Sequence, residues 1–302
     1  MSAARDRPRV GVVLPGPTAS EGRARTDVVS HARHLETLGF DSLWAGDHLA
    51  TGIPSLDCFT ALSAAAAVTE RIRLGTGVLV PALRSTAWAA KQVASLRLLS
   101  GDRLLLGVGS GGPWPEEWEA AGATYEARGR LTDEALAVIP SLVEGAPTLL
   151  PGPDRPVVHL EPGVPAPPIL IGGSSHTAMR RAARHGDGWF PSMVAPHTVR
   201  SGRELIETEN GCSKEIVVGL VASLQTKRAT KAEIARELAA RYDIADEAAT
   251  DLPITGSPEQ AAERLREFID AGATHFAVGM QGDDWERQTE LLAHVREILH
   301  RN

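Results

Sequence analysis

The sequence contains few cysteines, no long apolar run and no long run of charge of one sign. Its two cysteines, Cys58 and Cys212, stand far apart and outside any Cys-x-x-Cys or Cys/His metal spacing. A disulfide framework and a metal site therefore have little support. No apolar stretch approaches the roughly 20 residues that cross a bilayer, and the polar start lacks the apolar segment of a signal peptide. We expect a protein of the reducing cytoplasm with no membrane partner.

The charge balance argues against a nucleic-acid partner. The 302 residues include 31 Lys and Arg against 38 Asp and Glu, which gives a formal net charge of -7. A chain without a basic patch has no electrostatic footprint for DNA or RNA. We therefore expect no nucleic-acid partner. With 43% hydrophobic residues, the chain is long enough for a large core.

Short β-like runs alternate with longer helical patterns along almost the whole chain. This alternation is typical of parallel βα units, and eight such units fit a single (β/α)₈ TIM barrel with insertions, a single domain over residues 1–302. The active site of such a barrel lies at the C-terminal ends of its strands. The predicted strands are Arg9–Leu14, Ser42–Ala45, Arg73–Leu79, Leu104–Gly107, Ile169–Gly172, Gly188–Phe190, Ile216–Ser223 and His275–Gly279.

Local signals also define a helix and two insertions. The stretch "TGSPEQAAERLREFIDAGA" has Ser257 as N-cap and Gln260 at the capping-box position, and it ends at Gly272. The Pro- and Gly-rich segment Val143–Pro168 exceeds the bare repeat, and we expect it to contain a small hairpin. The segment Thr226–Pro253 contains a further charged helix, "KAEIARELAARY".

The run "SLWAGDHL" ends in two groups that are costly to bury, Asp47 and His48. In a barrel they emerge at the C-terminal end of the second strand, where such folds place their chemistry. A turn or helix cap is the alternative, because Asp readily accepts hydrogen bonds from nearby backbone N–H groups. Position alone leaves both interpretations open.

Glycines interrupt the third strand and follow the fourth. Gly75 and Gly77 in "RIRLGTGVLVP" indicate a bulge, a close approach to a ligand or a kink of the barrel. The run "LLLGVGSGG" matches G-x-G-x-x-G, but prolines follow it where a dinucleotide-binding fold needs a helix. We interpret that match as accidental.

The fifth strand runs into Gly172, Gly173, Ser174 and Ser175 before an amphipathic helix. Small residues at a positive helix end leave N–H groups free to bind phosphate. The Walker pattern is absent, since no Lys follows the glycines. Plain N-capping by serine is the alternative.

Taken together, these motifs resemble the bacterial luciferase-like family of flavin- and deazaflavin-dependent oxidoreductases. The resemblance rests on "SLWAGDHL", "ALSAAAAVTERIRLGTGVLVP", "AAKQVASLRLLSGDRLLLGVGSGG", "ILIGGSSHTAMRRAARHGDGWF" and "GSPEQAAERLREFIDAGATHFAV", which stand in the family's order. It implies a TIM barrel, usually a homodimer, that holds FMN or the deazaflavin coenzyme F420 at the strand ends.

The resemblance also implies roles for individual residues. His48 matches a residue that transfers a proton or positions the substrate, and Asp47 stands with it beside the ring. Gly77–Val78 matches a non-prolyl cis peptide under one face of the ring, and Ser110 and Gly111 line the same pocket. The stretch from Gly172 to Ser175, which includes Gly173 and Ser174, takes the phosphate.

One departure bears on the substrate. In the sugar-phosphate dehydrogenases of this family an acidic residue follows the glycines of the fourth strand, whereas this chain has Gly112 there. The absence of that candidate acid argues against sugar-phosphate oxidation. Glu116 and Glu117 follow a few residues later, and the sequence leaves open whether either returns to the site.

The leading hypothesis is an oxidoreductase that transfers hydride between F420 and a small organic substrate, with His48 as the proton donor or acceptor. The wording of "DHL", "TERIRLGTGV" and "LSGDRLLLGVG" favours the F420 branch. The alternatives are an FMNH₂-dependent monooxygenase that inserts one oxygen atom from O₂, and a non-catalytic partner subunit.

Overall fold

Eight parallel strands form the centre of the fold. The computed structural model describes residues 7–20, 23–225, 230–242, 244–281 and 284–301. Each of the eight predicted strands is present, within two residues of its expected bounds. They are β1 (Arg9–Val13), β2 (Ser42–Ala45), β3 (Arg73–Leu79), β4 (Leu104–Val108), β5 (Ile169–Gly172), β6 (Gly188–Phe190), β7 (Glu215–Leu224) and β8 (His275–Met280).

The sheet closes on itself. Each strand pairs in parallel with its neighbours in chain order, and β8 pairs back onto β1, with His275 opposite Arg9. The pairing of β6 with β7, with Gly188 opposite Glu215, completes the ring. The predicted TIM barrel is therefore confirmed, and the C-terminal ends of all eight strands meet at one mouth.

Helices surround the barrel. They are α1 (Val28–Thr37), α2 (Cys58–Ala66), α3 (Thr86–Leu99), α4 (Pro115–Ala121), α5 (Arg128–Val143), α6 (His176–His185), α7 (Pro196–Asn210), α8 (Lys231–Tyr242), α9 (Asp246–Ala249), α10 (Pro258–Ala271) and α11 (Trp285–Arg301). Helix α10 has the predicted capping box of Ser257 and Gln260 and ends at Gly272 in a left-handed conformation. Local chemistry thus sets its ends as the sequence predicted.

Both predicted insertions contain regular structure. The first includes a two-stranded hairpin, Thr148–Leu149 with Val157–Val158. The second includes α8 and α9, and strand Ile254–Gly256 just beyond it pairs with the outer end of β7. A second hairpin, Thr18–Ser20 with Arg23–Arg25, follows β1. In the part of the chain that the structure describes, no helix has the length and apolar character needed to cross a membrane.

A tryptophan fills the barrel interior below the mouth. Trp44 is fully buried, and its ring packs edge-on against Phe190 at a centroid distance of 5.0 Å. Its indole N–H donates to Ser42 Oγ at 2.8 Å. A Cβ built on Gly75 would lie 2.0 Å from Cε3 of this ring. Glycine at position 75 therefore makes room for the ring of Trp44. This contact supports neither a bulge nor a close approach to a ligand at Gly75.

A buried polar chain continues from that tryptophan toward the opposite end of the barrel. Ser42 Oγ lies 2.7 Å from His275 Nε2, and His275 Nδ1 lies 3.3 Å from Glu215 Oε1. Burial lowers the pKa of His275, so the ring is neutral at neutral pH and links the two partners by hydrogen bonds. These bonds satisfy polar groups that would be costly to bury alone.

Candidate active site at the mouth of the barrel

His48 follows β2 at the mouth and is partly open to solvent. Its side chain is 34% exposed, while its Nδ1 atom is buried and has no hydrogen-bond partner. The imidazole packs edge-on against Trp114 at a centroid distance of 5.3 Å, and Trp114 in turn contacts Tyr242 of α8 at 6.3 Å. The second insertion therefore reaches the ring that packs on His48.

Asp47 lies beneath the mouth rather than in it. The residue is 5% exposed, and its carboxylate accepts a bond from the N–H of Val80 at 2.9 Å and pairs with the guanidinium of Arg84. Both oxygens therefore have protein partners. Direct contact of Asp47 with a cofactor stays a prediction, and what the structure shows is a carboxylate that holds the chain after β3.

Asp47 also belongs to a group of metal-ligand types. Its carboxylate, that of Asp57 and the thiol of Cys58 lie within 4.8 Å of one another. Arg84 pairs with Asp47 and lies 3.9 Å from Asp57, so a cation already balances the carboxylates. Burial raises the pKa of the Cys58 thiol, which keeps the thiol protonated and a poor metal ligand.

Strand β3 is irregular at its C-terminal end, as its glycines predicted. The Gly77–Val78 peptide bond is cis, and the register of β3 against β4 shifts between Thr76 and Leu79. Gly77 is exposed and Val78 partly buried. A Cβ on Gly109 would lie 2.5 Å from Val78 Cγ2. Glycine after β4 therefore makes room for Val78 and explains one member of the accidental G-x-G-x-x-G match.

The loop after β4 is shaped by two tryptophans. Ser110 and Gly111 are half-buried, and Gly111 has a φ of +79°. The indole N–H of Trp118 donates to the carbonyl of Gly112 at 3.0 Å. A Cβ on Gly112 would lie 2.1 Å from Cζ3 of Trp114. An acidic side chain at position 112 would therefore displace the ring that packs on His48.

A carboxylate reaches this site from a different position. Glu117 of α4 has a side chain only 2% exposed, and its Oε1 lies 3.7 Å from His48 Nδ1. The same oxygen accepts a bond from the N–H of Leu49 at 2.6 Å. Glu116 beside it is exposed. The sequence left open whether Glu116 or Glu117 returns to the site. The only sequence signal for Glu117 was a pair of glutamates a few residues after the glycines that follow β4.

The fifth strand delivers the predicted phosphate site to the mouth. Gly172 is buried at the end of β5, whereas Gly173, Ser174 and Ser175 are exposed. Ser175 Oγ accepts from the N–H of Ala178 at 3.2 Å, so the N-capping interpretation is right for this hydroxyl. Among the described residues, the backbone N–H groups of positions 174–177 have no hydrogen-bond partner. These amides remain free to bind an anion at the positive end of α6.

These features share one arc of the mouth, because β2, β3, β4 and β5 are consecutive neighbours in the barrel. The arc contains the imidazole of His48, the cis peptide bond at Gly77–Val78 with its exposed glycine, and a helix end with free amides. It forms a candidate site at the end of the barrel where such folds place their chemistry. A family-level comparison agrees: residues 9–251 match the luciferase-like monooxygenase family, and the chain belongs to that family.

Individual relatives share at most moderate sequence identity with this chain or align with only part of it. An uncharacterized protein of Mycobacterium tuberculosis is 40% identical over 142 residues, which is 46% of this chain and 49% of that protein, so the alignment spans about half of that relative. An F420-dependent glucose-6-phosphate dehydrogenase of Beutenbergia cavernae is 28% identical over 85% of this chain and 88% of its own.

A solved structure shares the fold. The F420-dependent secondary alcohol dehydrogenase in complex with an F420–acetone adduct superimposes with a TM-score of 0.77 at 20% identity. The superposition covers 96% of this chain and 98% of that one.

Proposed function

We propose that this protein is an F420-dependent oxidoreductase that transfers hydride between the deazaflavin and a small organic substrate. The observation that carries the proposal is the alignment over 85% of the chain with a relative named as F420-dependent, within a family to which the chain belongs. The arc of the mouth described above supports it. The deazaflavin ring, when bound, would accept or supply the hydride.

The residues of the mouth fit such a cofactor. The free amides at positions 174–177, next to Gly173 and beside the Ser174 and Ser175 side chains, would bind its phosphate. The backbone at Gly77 and Val78 would support the ring, with Ser110 and Gly111 beside it. Asp47 would act indirectly, because its ion pair with Arg84 and its bond to Val80 hold the chain that follows the cis peptide.

His48 would move the proton that accompanies hydride transfer. Its Nδ1 is buried while a third of the side chain is exposed, which leaves Nε2 as the nitrogen that can meet a substrate. The edge-on contact with Trp114 would restrict the orientation of the imidazole. A positioned imidazole of this kind contributes roughly 10²–10⁴-fold to a rate.

Cofactor titration tests the proposal. The purified protein is titrated with F420 and, separately, with FMN, and the change in cofactor fluorescence is followed. We expect micromolar binding of F420. Micromolar binding of FMN alone would instead support the monooxygenase alternative and reject the proposal. Binding of neither cofactor, together with a stable complex with a second homologous chain, would favour the non-catalytic partner.

A variant tests the role of His48. We expect His48→Ala to lower turnover with F420 by about 100-fold or more and to leave the affinity for the cofactor nearly unchanged. An unchanged turnover would remove the proposed role. His176→Ala, at an exposed histidine, is a control for folding alone. His176 lies among the amides proposed to bind phosphate, so this variant does not control for cofactor affinity.

We also propose that the whole chain acts as one domain in a cytoplasmic homodimer. Trp88, Leu98 and Leu99 of α3 are 69%, 59% and 65% exposed, and a helix that leaves three large apolar side chains in solvent supports a protein partner. Light scattering should give a dimer for the parent chain and a monomer for Trp88→Glu. The equally exposed Val157→Glu should remain a dimer, and a monomeric parent would contradict the proposal.

A further inference from the structure

Glu117 is an acidic side chain that the proposed chemistry does not yet use. It is almost fully buried, at 2% exposure of its side chain, and a carboxylate is seldom buried without a partner that balances it. The N–H of Leu49 satisfies part of that need at 2.6 Å. The nearest ionisable partner among the described contacts is His48, whose Nδ1 lies 3.7 Å from the same oxygen.

The two groups complement each other. His48 Nδ1 is buried without a hydrogen-bond partner, and Glu117 Oε1 is the acceptor that lies next to it. The separation of 3.7 Å is too long for a hydrogen bond and short enough for an ion pair once the imidazole carries a proton on both nitrogens. Catalytic hydrogen bonds are often long in a free enzyme and tighten when the substrate is bound.

The other charged groups nearby are already matched. Asp47, adjacent to His48 in the chain, pairs with Arg84, and Arg84 also faces Asp57 at 3.9 Å. The aromatic neighbours of the imidazole, Trp114 and beyond it Tyr242, bring no formal charge. Among the described residues, Glu117 is therefore the carboxylate next to His48 that has no other cationic partner.

We propose that Glu117 is the positioning residue of His48. Its carboxylate holds the Nδ1–H of the imidazole, so that Nε2 faces the mouth, and it stabilises the positive charge when Nε2 takes a proton. This orientation of a histidine by a buried carboxylate is a general solution for a proton-transferring imidazole. The inference rests on the proposed function for its kinetic consequence, whereas the pairing itself can be measured in the ligand-free protein.

The test compares Glu117→Gln with the parent protein. Glutamine keeps an oxygen that can accept from the N–H of Leu49, so the loop after β2 keeps its bond while the charge is lost. Glu116→Gln removes an exposed charge one residue away and serves as the matched control. Thermal unfolding confirms that each variant is folded before the other measurements are interpreted.

The first readout is an NMR titration of the ligand-free protein, with His48 assigned by its loss in His48→Gln. We expect the titration curve of His48 to move to lower pH in Glu117→Gln, because that variant lacks the negative charge beside Nδ1 that favours the protonated imidazole. Glu116→Gln should leave it in place. A curve that does not move in Glu117→Gln overturns the inference, whatever cofactor the protein uses.

The second readout is turnover with F420. We expect Glu117→Gln to lower kcat at least about 10-fold with less than a twofold change in the dissociation constant of F420, and the pH–rate profile should move in the same direction as the NMR curve. A moved NMR curve without any turnover in the parent protein would reject the proposed function and retain the pair. A moved NMR curve with unchanged kcat would overturn the catalytic part of the inference.

Discussion

The ion pair between Asp47 and Arg84 allows a prediction in which a second mutation restores stability. Asp47 is 5% exposed, and the Arg84 side chain is 21% exposed. Arg84→Met removes the cation and leaves the carboxylate buried with the N–H of Val80 as its remaining strong partner. Loss of one member of a buried pair typically costs 3–5 kcal/mol. Since one hydrogen bond remains, we expect about 3 kcal/mol.

The corresponding change in Tm is about 5 °C for a chain of this length. Asp47→Asn removes the charge that Arg84→Met would strand, so the double variant should be more stable than Arg84→Met alone. Differential scanning calorimetry of the parent, both single variants and the double variant measures these differences. The exposed pair of Arg130 and Glu134, at 63% and 35% exposure, supplies a control.

Arg130→Met should change the free energy of unfolding by less than about 0.5 kcal/mol, because exposed ion pairs contribute little. A double variant less stable than Arg84→Met would refute the reasoning, since it would mean that the charge of Asp47 stabilises the fold without its arginine. A stable Arg84→Met variant, within about 0.5 kcal/mol of the parent, would refute it equally.

Two further predictions concern the barrel interior. Gly75→Ala should destabilise the protein by about 1–3 kcal/mol or more, because its Cβ would lie 2.0 Å from the buried ring of Trp44. Gly279→Ala is the control: its Cβ would meet its nearest neighbour at 3.7 Å, so this variant should unfold at nearly the parent's denaturant midpoint. Equal midpoints for the two variants would contradict the packing argument. Burial lowers the pKa of His275 in the folded protein, whereas in the unfolded chain this histidine keeps its ordinary pKa of 6.5. The unfolded chain therefore binds a proton that the folded chain resists. The stability is present above about pH 6.5 and is lost as the pH falls below it. His275→Gln should flatten that loss between pH 7 and 5 in urea unfolding, and an equally steep loss in the variant would assign it to other groups.

Local patterns in the sequence carried most of the fold. A strand or a capped helix is encoded within a few neighbouring residues, as the capping box of Ser257 and Gln260 shows, and eight strands counted in order permit few architectures. The sequence also brought His48, Gly77 and Ser175 to one end of the barrel, since parallel strands place their C-terminal ends together. Their positions followed from topology alone.

The partners of those residues were decided only by the tertiary structure. Glu117 meets Leu49 across 68 positions of the chain, and Arg84 meets Asp47 across 37. No local periodicity encodes such contacts, because they depend on how loops fold back over the mouth. Gly112 is a further case: the sequence presented it as a missing acid, whereas the packing of Trp114 requires glycine there. The sequence by itself thus determined the barrel and the end of the barrel that carries the candidate active site. Long-range packing decided which charged side chains face one another at that end.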